Sequence, residues 1–480
     1  MKRRDFVRTT AAASMAPLVV PRHVLGGAGF VAPSDTVHIG VIGAGGMGAS
    51  NATPLAMSDG VRIAAIADVD MSQVQNAVQR RLASDNERGR AAGAALEAAY
   101  AGAEQFQDYR EMLSEVDELD GVLIATPDHV HAHAALMAMA RGLHVYCQKP
   151  LTYTVEESRR LAAAATSTGL VTQMGNQGHS GDDGRRVIEV VRAGVLGRVR
   201  EIQSWTNRPN GWWPQGVPMP DAAPVPEGVD WDVYLGPNEM QPYRPGIHPF
   251  GWRGFVGFGV GALGDMGAHL VDFPVWALDL PRPSRVETRH TPWGGGDDRA
   301  TYPLATVTTY TFPGAGPEAG AADPGGEVSM SWYDGGLLPP TPVQAPDGFT
   351  LDPNGGIIFV GERGLLIHET YGTNPRFLSN DPAVDLEAEA AAVPVSLPRI
   401  EGGIGSHEIN WVRAIRGEED ASCPFEYGAH LNEIMLLGVA AMSAGHPLRV
   451  LEDGRIENHD LEGAALLSRT YRDGWELPAL

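Results

Sequence analysis

Six residues, Gly43-Ala44-Gly45-Gly46-Met47-Gly48, follow directly on the apolar run Val37-His38-Ile39-Gly40-Val41-Ile42 and lead into a stretch of small residues able to open a helix. A strand that ends in G-x-G-x-x-G and hands over to a helix leaves the chain few ways to pack. Gly43 permits the tight turn, Gly45 lets the backbone approach a pyrophosphate, and Gly48 lets helix and strand lie close together. Gly46 and Met47 stand at the helix start, where unpaired N–H groups suit phosphate oxygens. A second apolar run, Val61 to Ala67, ends at Asp68, 20 residues after Gly48. An acid there hydrogen-bonds ribose hydroxyls and disfavours a 2′-phosphate, so NAD is expected ahead of NADP. The competing use of such an acid is as a helix cap or turn residue.

Strands and helices then alternate. Helical stretches are expected from Met71 to Arg90, onward to Tyr100, and from Asp108 to Val116. Gly121 to Thr126 reads as a buried strand, Val130 to Arg141 as a helix and His144 to Cys147 as the next strand. Thr154-Val155-Glu156-Glu157 has the form of a capping box, for a helix reaching Thr168. Val171 to Met174 reads as a further strand, facing a cleft through Asn176 and Gln177. This alternation implies a parallel sheet covered on both faces, with ligands at the carboxyl ends of the strands. Thr126, Pro127, His129, Gln148 and Lys149 fall at such ends, and Thr126, Pro127, His129 and Lys149 are expected to touch the cofactor.

Thr126-Pro127-Asp128-His129-Val130-His131 and Gly142-Leu143-His144-Val145-Tyr146-Cys147-Gln148-Lys149-Pro150 together resemble the Gfo/Idh/MocA oxidoreductases. Family members usually carry Glu-Lys-Pro where this chain has Gln148-Lys149-Pro150. The departure keeps lysine and proline and removes a carboxylate. The resemblance runs over nearly the whole chain after Asp35. It implies an active-site role for Lys149, near the nicotinamide and the reacting hydroxyl, and a second domain that serves substrate binding and oligomer formation through an open sheet.

Beyond the nucleotide-binding part, Trp205, Trp212, Trp213, Trp231 and Trp252 fall in a segment rich in Pro and Gly, with His248 among them. Flat aromatic faces suit the C–H faces of sugars, and Asn207 and Arg208 suit hydroxyls, although most of these aromatics are expected to pack an irregular insertion. In Gly264-Asp265-Met266-Gly267-Ala268-His269-Leu270-Val271-Asp272, a helix would place Asp265, His269 and Asp272 on one face. Carboxylate, imidazole and carboxylate make an orienting and proton-transfer set. The Asp-x-x-x-His spacing resembles the family's catalytic motif, which assigns His269 and Lys149 to the substrate proton and Asp265 to orientation. No third and fourth ligand accompanies them, so no metal is expected. Alternating stretches at 305–312, 327–333 and 357–360 suggest an antiparallel sheet, with a loop at 314–326.

The expected architecture is therefore α/β: a Rossmann domain at 35–180, then an α+β domain with a largely antiparallel open sheet at 181–445, and an extension at 446–480. A length of 480 residues fits two such domains. The net charge of -23 repels phosphate backbones and excludes nucleic acid as a partner, and two cysteines make no disulfide framework. Residues 1–34 begin Met1-Lys2-Arg3-Arg4-Asp5-Phe6, followed by an apolar run from Thr9 to Val20 too short to span a bilayer. This reads as a twin-arginine export signal, implying a periplasmic or cell-envelope protein.

The expected partner is a small sugar-like molecule, in a homo-oligomer (dimer or tetramer) built through the C-terminal sheet. Three functions compete: a dehydrogenase of a sugar, polyol or glycoside; a redox-neutral glycoside-cleaving enzyme with tightly held NAD; and a non-catalytic nucleotide-binding protein. The roles of Lys149 and His269 as proton acceptor are interchangeable at this stage.

Overall fold

A computed structural model describes residues 36–293, 299–313, 326–458 and 466–480. The expected export signal and most of the loop at 314–326 lie outside the described residues.

The first sheet comprises β1 (Val37–Ile42), β2 (Val61–Ala67), β3 (Glu104–Phe106), β4 (Gly121–Ile124), β5 (His144–Cys147) and β6 (Thr172–Met174). Its order is β3-β2-β1-β4-β5-β6, and every pairing is parallel. The order reverses between β1 and β4, which opens a crevice at their carboxyl ends. Side chains leave a strand alternately on its two faces. Leu123 accordingly joins one apolar layer with Ile39 and Val41, while Val122 and Ile124 join the opposite one.

Helices α1 (Gly46–Ala56), α2 (Met71–Leu82), α3 (Glu87–Ala101), α4 (Tyr109–Glu115), α5 (Asp128–Ala140) and α6 (Val155–Thr168) accompany these strands. The helix expected from Met71 to Arg90 is broken, because Asn86 accepts a hydrogen bond from Gly89 N and caps α3. The capping box of α6 is present as expected, with both Thr154 and Glu157 engaged.

After α7 (Asp182–Arg192) the chain enters the second sheet: β7 (Val199–Thr206), β8 (Arg285–His290), β9 (Thr306–Phe312), β10 (Val328–Tyr333), β11 (Gly355–Gly361), β12 (Gly364–His368), β13 (Arg376–Ser379) and β14 (Leu448–Arg449). The order is β13-β12-β11-β7-β10-β9-β8-β14. All contacts are antiparallel except β7 with β10. Between β7 and β8 lie α8 (Trp231–Leu235), α9 (Gly261–Leu270) and α10 (Asp272–Leu278).

The remaining helices are α11 (Leu386–Ala392), α12 (His407–Ile415) and α13 (Phe425–Ala444). Most residues of α13 are buried, and it packs on both α6 and β8, joining the two halves. The last described segment returns to the nucleotide-binding half. Val155 N donates to Leu466 O at 3.1 Å, and Arg469 pairs with the fully buried Glu157 at 2.7 Å. Among the described residues no helix is long and apolar enough to cross a membrane.

Candidate active site

A cleft of about 460 Å³ lies at the carboxyl ends of β1, β2 and β4. Its floor is the glycine turn. Gly43 has φ +79, and a Cβ there would stand 2.8 Å from the Ala125 carbonyl; one on Gly48 would stand 1.8 Å from Gly43 O. Side chains at either place would break the turn itself. Gly45 differs, since its Cβ would meet Gln73 Cβ at 3.3 Å and Asp68 Oδ2 at 3.4 Å, contacts that small shifts accommodate. Its bareness serves whatever lies in the cleft.

Gly45 caps α1 without a side-chain acceptor, so the N–H groups of that first turn, beside Gly46 and Met47, are left for a ligand. Asp68 accepts from Gly45 N at 2.9 Å and from Asp70 N at 3.0 Å, and its carboxylate lines the same cleft. These residues fit a dinucleotide: free donors for the pyrophosphate, and an anion at the ribose position that repels a 2′-phosphate.

The segment between β7 and α9 roofs this floor. Asp230 N donates to Val69 O at 2.9 Å, and Gln107 Nε2 donates to Gly228 O at 2.8 Å. His248 Nε2 contacts Asp70 Oδ2 at 2.8 Å. His248 and Trp252 line the cleft together with Thr126, Pro127 and Lys149.

At one end Lys149 Nζ donates to both Asp265 O (2.9 Å) and Asp265 Oδ1 (2.8 Å), and Arg253 Nε donates to the same Oδ1 at 3.3 Å. Against the desolvation of burial, Lys149 and Arg253 hold the Asp265 carboxyl far below the usual carboxylate range. One turn along α9, His269 Nδ1 bonds Asn176 Oδ1 at 3.0 Å. The amide oxygen accepts, so Nδ1 carries the proton and Nε2 keeps its lone pair. Burial first, then the charges of Lys149 and Arg208, push the His269 imidazole well below its ordinary value, while Asp265 opposes them. It is neutral at physiological pH.

The Tyr371 ring stands edge-on to it, centroids 4.7 Å apart, on a backbone at φ +70. A tyrosine in that left-handed region costs on the order of 1 kcal/mol, which the surrounding packing must offset. Asp128 is buried near these groups; burial pushes its carboxyl up to about 8, against the pull of Arg253 and Lys149.

Several expected residues lie elsewhere. His129 does not reach the cleft: it is fully buried, its ring nitrogens against Phe258 O (3.1 Å) and Tyr234 O (2.9 Å), and it fastens α5 to the roof. Asp272 is not on the helix of Asp265 and His269, because α9 ends at Leu270 and Asp272 opens α10. It bonds His179 at 2.7 Å and Tyr427 at 2.6 Å instead. Trp205 is buried in β7 with its indole N–H on Asp352 O, in an apolar cluster with Ile358 and Ile367. Asn207 bonds Asn354 at 3.2 Å and also accepts from Arg208 Nη1 at 2.8 Å. Gln177 is half-buried in the short turn after β6.

The carboxylate absent at position 148 has a counterpart nearby. Gln148 Nε2 donates to Asn51 Oδ1 at 2.9 Å, and Asn51 Nδ2 donates to the buried Glu408 of α12. Arg253, Tyr371 and Asp128 escaped the sequence reading. Arg253 follows Trp252 in the aromatic segment, and Asp128 lies inside the quoted Thr126–His131 motif, yet nothing local distinguishes either from ordinary polar residues.

Residues 37–176 match the family model described as "Oxidoreductase family, NAD-binding Rossmann fold", and residues 183–290 match "Oxidoreductase family, C-terminal alpha/beta domain". A glycosyl hydrolase family 109 protein of Shewanella pealeana is 30% identical over 213 residues, 42% of this chain and 44% of that protein. The chain thus spans less than half the length of that relative. Among solved structures, the WlbA dehydrogenase of Chromobacterium violaceum, crystallised with NADH and UDP-GlcNAcA, superposes with a TM-score of 0.58 at 16% identity, covering 87% of this chain and 96% of that one. Levoglucosan dehydrogenase, in complex with NADH and L-sorbose, gives a TM-score of 0.51 at 18% identity, covering 87% and 99%.

Proposed function

This chain belongs to the Gfo/Idh/MocA oxidoreductase family, and from that premise we propose that it is an NAD-dependent oxidoreductase acting on a secondary alcohol of a sugar, polyol or glycoside. The observation that carries this reading is the Lys149–Asp265 pair beside the glycine-floored cleft that Lys149 lines, with His269 one turn from Asp265 on α9. Bound NAD supplies the hydride acceptor.

His269 Nε2, neutral and free of an internal partner, takes the hydroxyl proton, and Asn176 fixes the tautomer by occupying Nδ1. Lys149, held by Asp265, donates a hydrogen bond to the same oxygen and stabilises charge that grows there. Asp265 keeps the amine oriented and shares the same carboxylate with Arg253. Incubating purified protein with NAD and a panel of sugars, polyols and glycosides, following NADH absorbance, tests the reading. Lys149→Met and His269→Ala are expected to lower turnover by about 10²–10⁴; a variant with full activity overturns the assignment.

The roof over the cleft favours one second reading. A dinucleotide enclosed by Asp230, Gln107 and His248 contacts suits a redox-neutral cycle that oxidises, eliminates and re-reduces a glycoside. The glycosidase name of the Shewanella relative agrees with it. Sugar release from a glycoside without accumulation of NADH would select this cycle.

We also propose export by the twin-arginine pathway on the basis of Arg3-Arg4 and the following apolar run. Replacing both arginines with lysine should hold the protein in the cytoplasm. Assembly through the open second sheet, a dimer or tetramer, is checked by light scattering on the purified protein.

A further inference from the structure

Arg208 sits just beyond the end of β7, half-buried, with its guanidinium 3.4 Å from the centroid of the Trp212 ring. Its Nη1 donates to Asn207 Oδ1 at 2.8 Å. Among the described residues no partner takes the donors on Nε and Nη2, and no carboxylate lies within ion-pair distance. β7 lies beside α9, Ser204 Oγ donating to Leu270 O at 3.3 Å, and the Arg208 charge beyond its end acts on Asp265, Tyr371 and His269. The one ionised carboxylate among those neighbours, Asp265, is already shared by Lys149 and Arg253. Asp128, whose carboxyl burial keeps protonated at neutral pH, offsets nothing, and His269 is neutral. Three cations therefore surround one anion in a chain whose net charge is -23.

A half-buried guanidinium without a counterion has given up hydration for little return. The edge left open, Nε with Nη2, matches the two oxygens of a planar carboxylate, the arrangement in which arginine binds best. Trp212, 51% exposed, holds the plane of the guanidinium while leaving that edge clear.

Resting on the oxidoreductase reading above, we propose that the substrate is an acidic sugar, a uronic or aldonic acid, whose carboxylate is bound by the Nε–Nη2 edge of Arg208 beside the reacting hydroxyl. Its test uses full-length protein loaded with NAD and matched pairs: D-glucuronate against D-glucose, D-galacturonate against D-galactose, D-gluconate against D-glucitol, with D-glucose 6-phosphate as the phosphoryl arm. NADH formation gives kinetics, and calorimetric titration gives binding whether or not turnover occurs. For at least one pair the acid is expected to exceed its neutral partner by about 30-fold or more in kcat/KM, the scale of a charge-assisted hydrogen-bond pair.

Arg208→Gln should raise KM for the acid by a similar factor, about 30-fold, and for the neutral partner far less, while any change in kcat from removing its charge near His269 is common to both; Arg208→Lys should restore part of the affinity. Equal handling of acid and neutral sugars, or an Arg208→Gln rise in KM shared equally by both, overturns the proposal. Preference for glucose 6-phosphate over every carboxylate overturns it in favour of a phosphoryl ligand. If no compound is oxidised, the oxidoreductase reading fails on its own. Calorimetry then decides this one: acid binding that Arg208→Gln abolishes supports the subsite, and absence of acid binding by the NAD-loaded protein sinks it.

Discussion

Asp265 serves two masters with one carboxylate. It fixes the Lys149 amine through a 2.8 Å bond, and from one turn away it stabilises any proton on His269. Neutralising it without changing its shape separates the two. In Asp265→Asn the imidazole loses an attractive charge, so its pKa falls further below the ordinary histidine value. The acid limb of kcat/KM should move to lower pH, while the maximum rate drops by about 10²-fold because Lys149 is less well held. A pH–rate profile of both proteins checks this, and an acid limb moving upward would contradict the assignment of His269 as base.

Asp128 offers a stability experiment. Its carboxyl is raised from 3.8 to about 8 in the folded protein, so the folded state holds a proton that the unfolded chain releases. Its contribution is complete below the unfolded value and is lost as pH rises through about 8. Asp128→Asn should therefore flatten the decline in stability over that range and stabilise the protein at pH 9 by on the order of 1 kcal/mol or more. Thermal melts at pH 5 and pH 9 should show a small gain at the lower value and the larger gain at the higher.

Within the turn that opens α1, two glycines that look alike in sequence have different duties. Gly48→Ala puts a methyl against Gly43 O and should lower thermal stability and abolish dinucleotide binding together. Gly45→Ala meets only yielding contacts inside the chain and should leave the melting temperature nearly unchanged while weakening NAD affinity at least tenfold. Titration of cofactor fluorescence alongside melting curves distinguishes them. Such local units were legible from sequence because their determinants lie within a few residues: the β1 turn, the α6 capping box, and the one-turn spacing of Asp265 and His269. The break at Asn86 needed capping chemistry to outweigh helical pattern. Edge strands β3 and β14 are too short to carry a periodicity. β7 hid among aromatics because its fully buried residues do not alternate polar with apolar, and so Trp205 read as a ligand when it is core.

At the level of the whole molecule, the nucleotide-binding half and the second sheet are held together by α13 and by the returning C-terminal segment. Arg469 fastens that segment to the nucleotide-binding half: it pairs with Glu157, donates to the His129 carbonyl, and sits over Tyr153 and Tyr471. Arg469→Ala leaves the Glu157 carboxylate, 0% exposed, without its cation and should destabilise the protein by about 3–5 kcal/mol. A melt that is unchanged would mean that Tyr471 alone suffices to hold Glu157. None of this was visible in the sequence, since the partners stand some three hundred positions apart and no pattern links them.

The roof has one further consequence, which concerns the order of events in the life of each molecule. The segment that crosses the nucleotide groove is a continuous piece of chain fastened to Val69 and Asp70 on one side and to His129 on the other, so a bound dinucleotide would lie beneath it. A dehydrogenase that exchanges its dinucleotide at each turnover would open these fastenings every time, whereas a redox-neutral enzyme would keep them closed. A freshly folded chain without its nucleotide and one that has already captured it are separate populations, told apart by how readily a protease cuts the segment.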